Sequence, residues 1–161
     1  EFRDPIDNLT GITRVTVTWD DRAGTQGFLT YAIGGIIGTL VTRVKTRDDQ
    51  DHIYSHGKPP QDPTIVTIDY HQQSRSFSLD KGDYIEAIEV WSDHYVRQIT
   101  FWVRRKETRA LEKQGPFPPV PNPKSRWNSV ERHYKENIIL LAFKTRSGAW
   151  IDALGIYYID R

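Results

Sequence analysis

The residues with most to offer chemically are carboxylates beside tight turns. Asp152 follows Gly148 by four positions in the run Ser147-Gly148-Ala149-Trp150-Ile151-Asp152. An ionised Asp accepts hydrogen bonds from two neighbouring hydroxyls, and the N–H groups of a tight loop donate without side-chain ordering. Gly148 permits the unusual dihedrals such a loop demands, and Trp150 offers a flat apolar face. The set suits a ligand with vicinal hydroxyls. Taken alone, though, Gly-x-x-x-Asp is a common spacing that reads as a hairpin turn with a polar strand end. The densest carboxylate cluster is Asp48-Asp49-Gln50-Asp51-His52. It lacks the alternating ligands and glycine of an EF-hand loop and reads as a solvated turn, as does Asp20-Asp21. His52, His56, His71, His94 and His133 show no zinc spacing and read as exposed polar groups. With no cysteine, thiolate sites and disulfides are excluded. No metal and no cofactor is expected.

Positioning such residues requires elements, and composition says which kind. Ile, Val and Thr make up about a quarter of the chain and far outnumber Leu plus Ala. Beta-branched side chains pack well on a pleated surface and lose rotamers in a helix. The 161 residues suit one domain over 1–161. No apolar run reaches the roughly 18 residues of a membrane span. A formal charge of +1 lacks the cationic surplus that nucleic-acid binding rests on. The chain opens with Glu-Phe and no signal segment, so it reads as a mature chain or a fragment.

Period-two alternation marks a strand at Val15 to Trp19, closed by Asp20-Asp21-Arg22-Ala23-Gly24. Further strands are expected at Phe28 to Ile33, Leu40 to Thr46 and Ile65 to Tyr70. Tyr84 to Trp91 and Arg97 to Val103 form a hairpin around Ser92-Asp93-His94. Ile138 to Lys144 and Ile151 to Ile159 form the last pair. Short strands with turn signals between them read as an antiparallel barrel, sandwich or prism. Residues 114–137 break that rhythm. Five of the nine prolines fall between Gln114 and Lys124, a stretch expected to stay out of any ladder. A polar stretch follows, with one helical turn expected near Val130 to Lys135. The whole reads as a Pro-rich loop insertion. Arg104-Arg105-Lys106 reads as a solvated turn.

The final hairpin, Leu141-Ala142-Phe143-Lys144 through Ile151-Asp152-Ala153-Leu154-Gly155-Ile156-Tyr157-Tyr158, resembles the closing strands of jacalin-related lectins. Gly82-Asp83-Tyr84-Ile85, Ile99-Thr100-Phe101, Gly115-Pro116-Phe117 and Gly11-Ile12-Thr13-Arg14-Val15-Thr16-Val17 are similar to other pieces of that family, in the family's order. The resemblance implies an all-β fold, a jacalin-like β-prism of three short antiparallel sheets with Greek-key connections. It implies non-catalytic carbohydrate binding at Gly148, Ala149, Trp150, Ile151 and Asp152. In that reading Asp152 takes a hydroxyl pair and the main chain of Trp150 and Ile151 donates. The Ser92, Asp93 and His94 turn corresponds to a loop that flanks the sugar, while Trp91 reads equally as core.

Mannose or glucose is the sugar class favoured over galactose, because the freed N-terminal glycine of the galactose type is missing. The family's glycine-rich first loop is missing too, so the first strand is either lost or replaced. Gly35-Ile36-Ile37-Gly38-Thr39 has no Asp, so one primary site is expected. The implied partners are glycans or glycoconjugates, with a homo-oligomer or attachment to a larger chain supplying multivalency. A secreted setting is favoured slightly over a cytoplasmic one. An enzyme is not expected: glycosidases need two facing carboxylates, but no Gly-x-Ser-x-Gly elbow, phosphate loop or zinc motif appears. The alternative is a non-enzymatic adhesion or protein-interaction prism of a larger secreted toxin or adhesin.

Overall fold

In β2 (Leu9–Asp21), Val15, Val17 and Trp19 point inward and are fully buried. The intervening threonines point out, where Thr16 and Thr18 meet Ser76 and Ser74 of β5 (His71–Ser78) at 2.7 and 3.3 Å. That alternation, expected from the sequence, is what makes this strand one wall of a core. The computed structural model describes residues 2–3, 9–21, 36–46, 48–57, 71–127, 129–147 and 151–161. The strands expected at 28–33 and 65–70 lie outside these residues.

The described strands fall into three antiparallel sheets. The second sheet, in chain order, has β2 and β5 with β3 (Ile36–Thr46) and β4 (Asp51–Gly57), in the order β4-β3-β2-β5. The third holds β6 (Tyr84–Ser92), β7 (Val96–Arg104), β8 (Leu111–Phe117) and β9 (Glu131–Lys135), in the order β8-β7-β6-β9. Each places its fourth strand beside its first, which is the Greek-key arrangement. The first sheet joins β1 (Phe2–Arg3), β10 (Ile138–Ser147) and β11 (Ile151–Asp160), in the order β1-β10-β11. In that sheet Phe2 pairs with Thr145 and Arg3 with Lys144.

Aromatic rings tie the three sheets along one axis. Phe77 of the second sheet meets Phe101 of the third at 5.2 Å, and Phe101 meets Phe143 of the first edge-on at 6.3 Å. Trp19 and Phe117 extend the row, 6.1 Å apart. All five are buried. Offset and edge-on pairs of this kind add to the area burial that dominates the core. His56, expected to be exposed, is fully buried in β4, and its Nδ1 lies 2.7 Å from Thr145 Oγ1 of β10. It joins the second and first sheets from inside.

The proline-rich stretch differs from its sequence reading in three ways. β8 runs through Gly115-Pro116-Phe117, with Gln114 opposite Phe101 and Phe117 opposite Ile99. The register shift between those pairs is where the proline, which has no N–H to offer, is absorbed as a bulge. Glu131–Lys135 is a strand beside β6 instead of a helical turn. The helical turn lies earlier, at α1 (Pro123–Arg126). The expected loop over 114–137 therefore contains ordered elements.

One glycine is dictated by close approach. Gly57 has φ +89°, and a Cβ there would sit 2.1 Å from the carbonyl oxygen of Gly38. Gly57→Ala is expected to cost about 2–3 kcal/mol, since both the left-handed backbone and the neighbouring strand resist. At Gly11 nothing lies within 4 Å of a built Cβ, so Gly11→Ala should change stability by less than about 0.5 kcal/mol. Urea unfolding midpoints of the two variants give the comparison, and equal midpoints would contradict it.

Candidate functional site

Ile151 opens β11 with its side chain fully buried in the core. Asp152 follows as the extra residue of a β-bulge, unpaired between Ile151 opposite Ser147 and Ala153 opposite Arg146. It is half-buried, with no hydrogen-bond or ion-pair partner for its carboxylate among the described residues. Ile151 can thus serve a bound ligand only through its main chain. Gly148, Ala149 and Trp150, the rest of the expected loop, lie outside the described residues.

Asp152 lines a cleft of about 500 Å³ between β11 and the β6–β9 edge of the third sheet. The β6–β7 turn supplies Ser92 and Asp93 to the same cleft. Residues about sixty positions apart in sequence are therefore brought together in one cleft. His94 is not in it. It lines an adjoining polar cleft of about 430 Å³ with Ser129, Glu131 and His133, and Ser92, Asp93 and His133 border both.

The three turn residues differ in what they leave free. Asp93 Oδ1 accepts the Tyr95 N–H at 3.0 Å, and Arg97 Nε donates to both Asp93 oxygens at 3.0 and 3.1 Å. This carboxylate is committed to shaping its own turn, a short Asx-type closure reinforced by a shielded ion pair. Ser92, which lines the same cleft, has no side-chain hydrogen-bond partner among the described residues. Trp91 faces the opposite side of the sheet. It packs against Val120, Trp127 and Val130, and its indole N–H donates to Glu89 at 3.0 Å.

Two buried carboxylates of the third sheet, Glu86 and Asp83, are held by arginines. Glu86 is bound by Arg104 at 2.7 Å and by Arg161. The Arg104 bond, outweighing the opposing effect of burial, holds Glu86 below the usual carboxylate range. Burial by itself would raise Asp83, but the Lys106 amide, the Arg105 guanidinium and the Asp80 amide together bring it below that range. Arg104 and Arg105 are thus paired structural cations, not the solvated turn expected. Neither acid has the raised pKa of a glycosidase general acid.

The Asp48–Asp51 turn is closed by its own residues: Thr46 Oγ1 bonds Asp48, and Lys45 pairs with Asp51 at 3.2 Å. Among the described residues no three His, Asp or Glu side chains cluster as a metal would require, and no helix is long and apolar enough to cross a membrane.

Sequence reasoning missed Ser129, Glu131 and His133. They sit in a polar stretch without periodicity, and only the pairing of Glu131 with Ser92 places them at the cleft.

No protein-family model and no curated protein matches the sequence. Solved structures do match in fold. A galactose-specific lectin from Artocarpus hirsuta, in complex with methyl-α-D-galactose, superposes with TM-score 0.63 at 16% identity, covering 99% of each chain. Malaysian banana lectin gives TM-score 0.62 at 15% identity over 99% of this chain and 90% of that one. A mannose-binding jacalin-related lectin from Ananas comosus gives 0.60 at 18% identity, again over 99% and 90%. Three antiparallel sheets, two of them Greek keys, around one aromatic axis give this chain the β-prism fold of the jacalin-related lectins.

Proposed function

We propose that this protein binds carbohydrate reversibly, without catalysis, at the cleft beside Asp152. The observation that carries the reading is the meeting of an uncommitted carboxylate, Asp152, with the Ser92 turn in one cleft. A sugar's vicinal hydroxyls need a strong acceptor and nearby donors together, and the strand end and the turn provide them on rigid elements. Gly148, Ala149 and Trp150 complete the loop in this reading, with the main chain of Trp150 and Ile151 donating. The lectins of like fold bind mannose or galactose by name. Fold alone does not license an activity, so the residues at the cleft carry the argument. Mannose or glucose is the sugar class proposed, with glycoconjugates as partners and several copies or a larger chain raising avidity.

An ¹⁵N-labelled sample titrated with methyl α-mannoside, methyl α-glucoside and methyl α-galactoside tests this directly. The amides of Ser92, Ile151 and Asp152 should shift at millimolar sugar, most for mannoside or glucoside. Absence of shifts with all three would sink the reading and favour the protein-interaction module. The glycosides should be recovered intact, and any hydrolysis would defeat the non-catalytic assignment.

A further inference from the structure

The proline-rich stretch is built as a wall. Gln98, fully buried, donates from Nε2 to the carbonyl oxygens of Pro118 and Val120, both at 2.9 Å. Val120, Trp127 and Val130 then form a small second core against Trp91 on the outer face of the third sheet. Trp127 N–H closes α1 on Pro123 O at 2.8 Å. Ser129 lies between the buried Trp127 and Val130, and Glu131 pairs across the ladder with Ser92. Both are exposed, and Glu131 has no ion-pair partner among the described residues. They face the Ser92 to His94 turn across the polar cleft, which continues into the cleft of Asp152.

Resting on the carbohydrate reading, we propose that the joined clefts take a neutral oligosaccharide of two or more rings. Ser129 and Glu131 read the ring beyond the one at Asp152. Clefts of about 500 and 430 Å³ in series exceed what one sugar ring fills. Glu131 and His133 alternate onto the same face of β9, so a carboxylate acceptor and an imidazole line the path of the chain. Acidic groups at both ends, Asp152 and Glu131, disfavour sialylated or sulfated rings between them. Lys135 also lines the cleft of Asp152, but its ammonium is engaged over the Tyr158 ring at 4.9 Å. Because the wall is anchored by buried side chains, binding orders little of the protein, which favours affinity.

Calorimetry on the full chain with methyl α-mannoside and with a linear mannotriose tests the proposal. Mannotriose should bind about tenfold more tightly, the worth of one or two added hydrogen bonds. In the double variant Ser129→Ala, Glu131→Gln that advantage should fall to less than about twofold, with the methyl mannoside affinity unchanged. On a glycan array, sialylated and sulfated glycans should bind the wild type more weakly than neutral ones, and Glu131→Gln should narrow the gap. A wild type that gains nothing from mannotriose, or a variant that keeps the full gain, overturns the wall's role while monosaccharide binding stands. Failure of the wild type to bind either sugar overturns this proposal together with the carbohydrate reading.

Discussion

Asp152→Ala is expected to weaken binding of a simple methyl hexoside about a hundredfold while leaving the thermal midpoint in place. Hydrogen bonds to a charged acceptor are each worth about 1.5–3 kcal/mol. Losing an acceptor of two hydroxyls, with water partly replacing it, leaves a net cost near 3 kcal/mol, or about a hundredfold. Stability should stay within about 0.5 kcal/mol of the wild type, because the carboxylate has no partner among the described residues to strand. The core contact at that point belongs to Ile151, not to Asp152. Titration of the variant with methyl α-mannoside, alongside a melting curve, checks both halves. Retained affinity would remove Asp152 from the site, and a large loss of stability would reassign it to the fold.

The largest effect on stability from a polar residue is expected at Asp83. Its side chain is only 5% exposed and holds the Asp80–Asp83 turn through the Asp80 amide at 2.9 Å. It also accepts from the Lys106 amide at 2.8 Å and Arg105 Nη1 at 2.9 Å, so it joins two turns of the third sheet. Asp83→Ala should lower stability by about 2–3 kcal/mol. That lies below the 3–5 kcal/mol of a fully stranded buried ion, since Arg105 keeps Glu112 at 2.8 Å.

The pH dependence follows in sign. Asp83 and Glu86 both titrate lower in the folded protein than in the unfolded chain, whose carboxylates lie near pH 4. Their contribution is complete above that range and is lost as pH falls through the lowered native values. Urea unfolding from pH 6 down to pH 2 should show the wild type losing stability below about pH 4. Asp83→Ala should decline less steeply there. Parallel acid slopes would refute the assignment.

Much of the prism was legible because its hairpins carry apolar, β-branched runs bounded by turn residues. The β6–β7 pair has a core face of Ile99, Phe101 and Val103, and the β10–β11 pair carries the family-like run from Asp152 to Tyr158. β9 was not legible. Glu131-Arg132-His133-Tyr134-Lys135 is exposed at every position, so an edge strand defined by its pairing with β6 leaves no hydrophobic period to read. The prolines misled for a related reason. A missing N–H forbids a regular ladder position, but a bulge tolerates it, and only the partner strand shows where the bulge falls. The shared strand order of the second and third sheets has no counterpart in visible sequence repetition, because packing constrains the pattern of burial and not the residues. At the proposed site, Asp152 and Ser92 were expected through resemblance. The commitment of Asp93 to Arg97 and the placing of Ser129 and Glu131 required coordinates.

The first sheet is unlike the others in how far along the chain it reaches. The second and third sheets each draw on one continuous run, residues 9–78 and 84–135, whereas β1 pairs with β10 across nearly the whole chain. Pairings of long sequence separation carry a larger loop-closure entropy and form late in folding. The cleft lies between β11 of that sheet and the edge of the third. A chain with its two Greek keys formed and its first sheet still undocked would therefore have most of its core and no groove. By mass action, any ligand held there draws the closing step toward completion, so the molecule becomes a better-closed prism in the presence of what it binds.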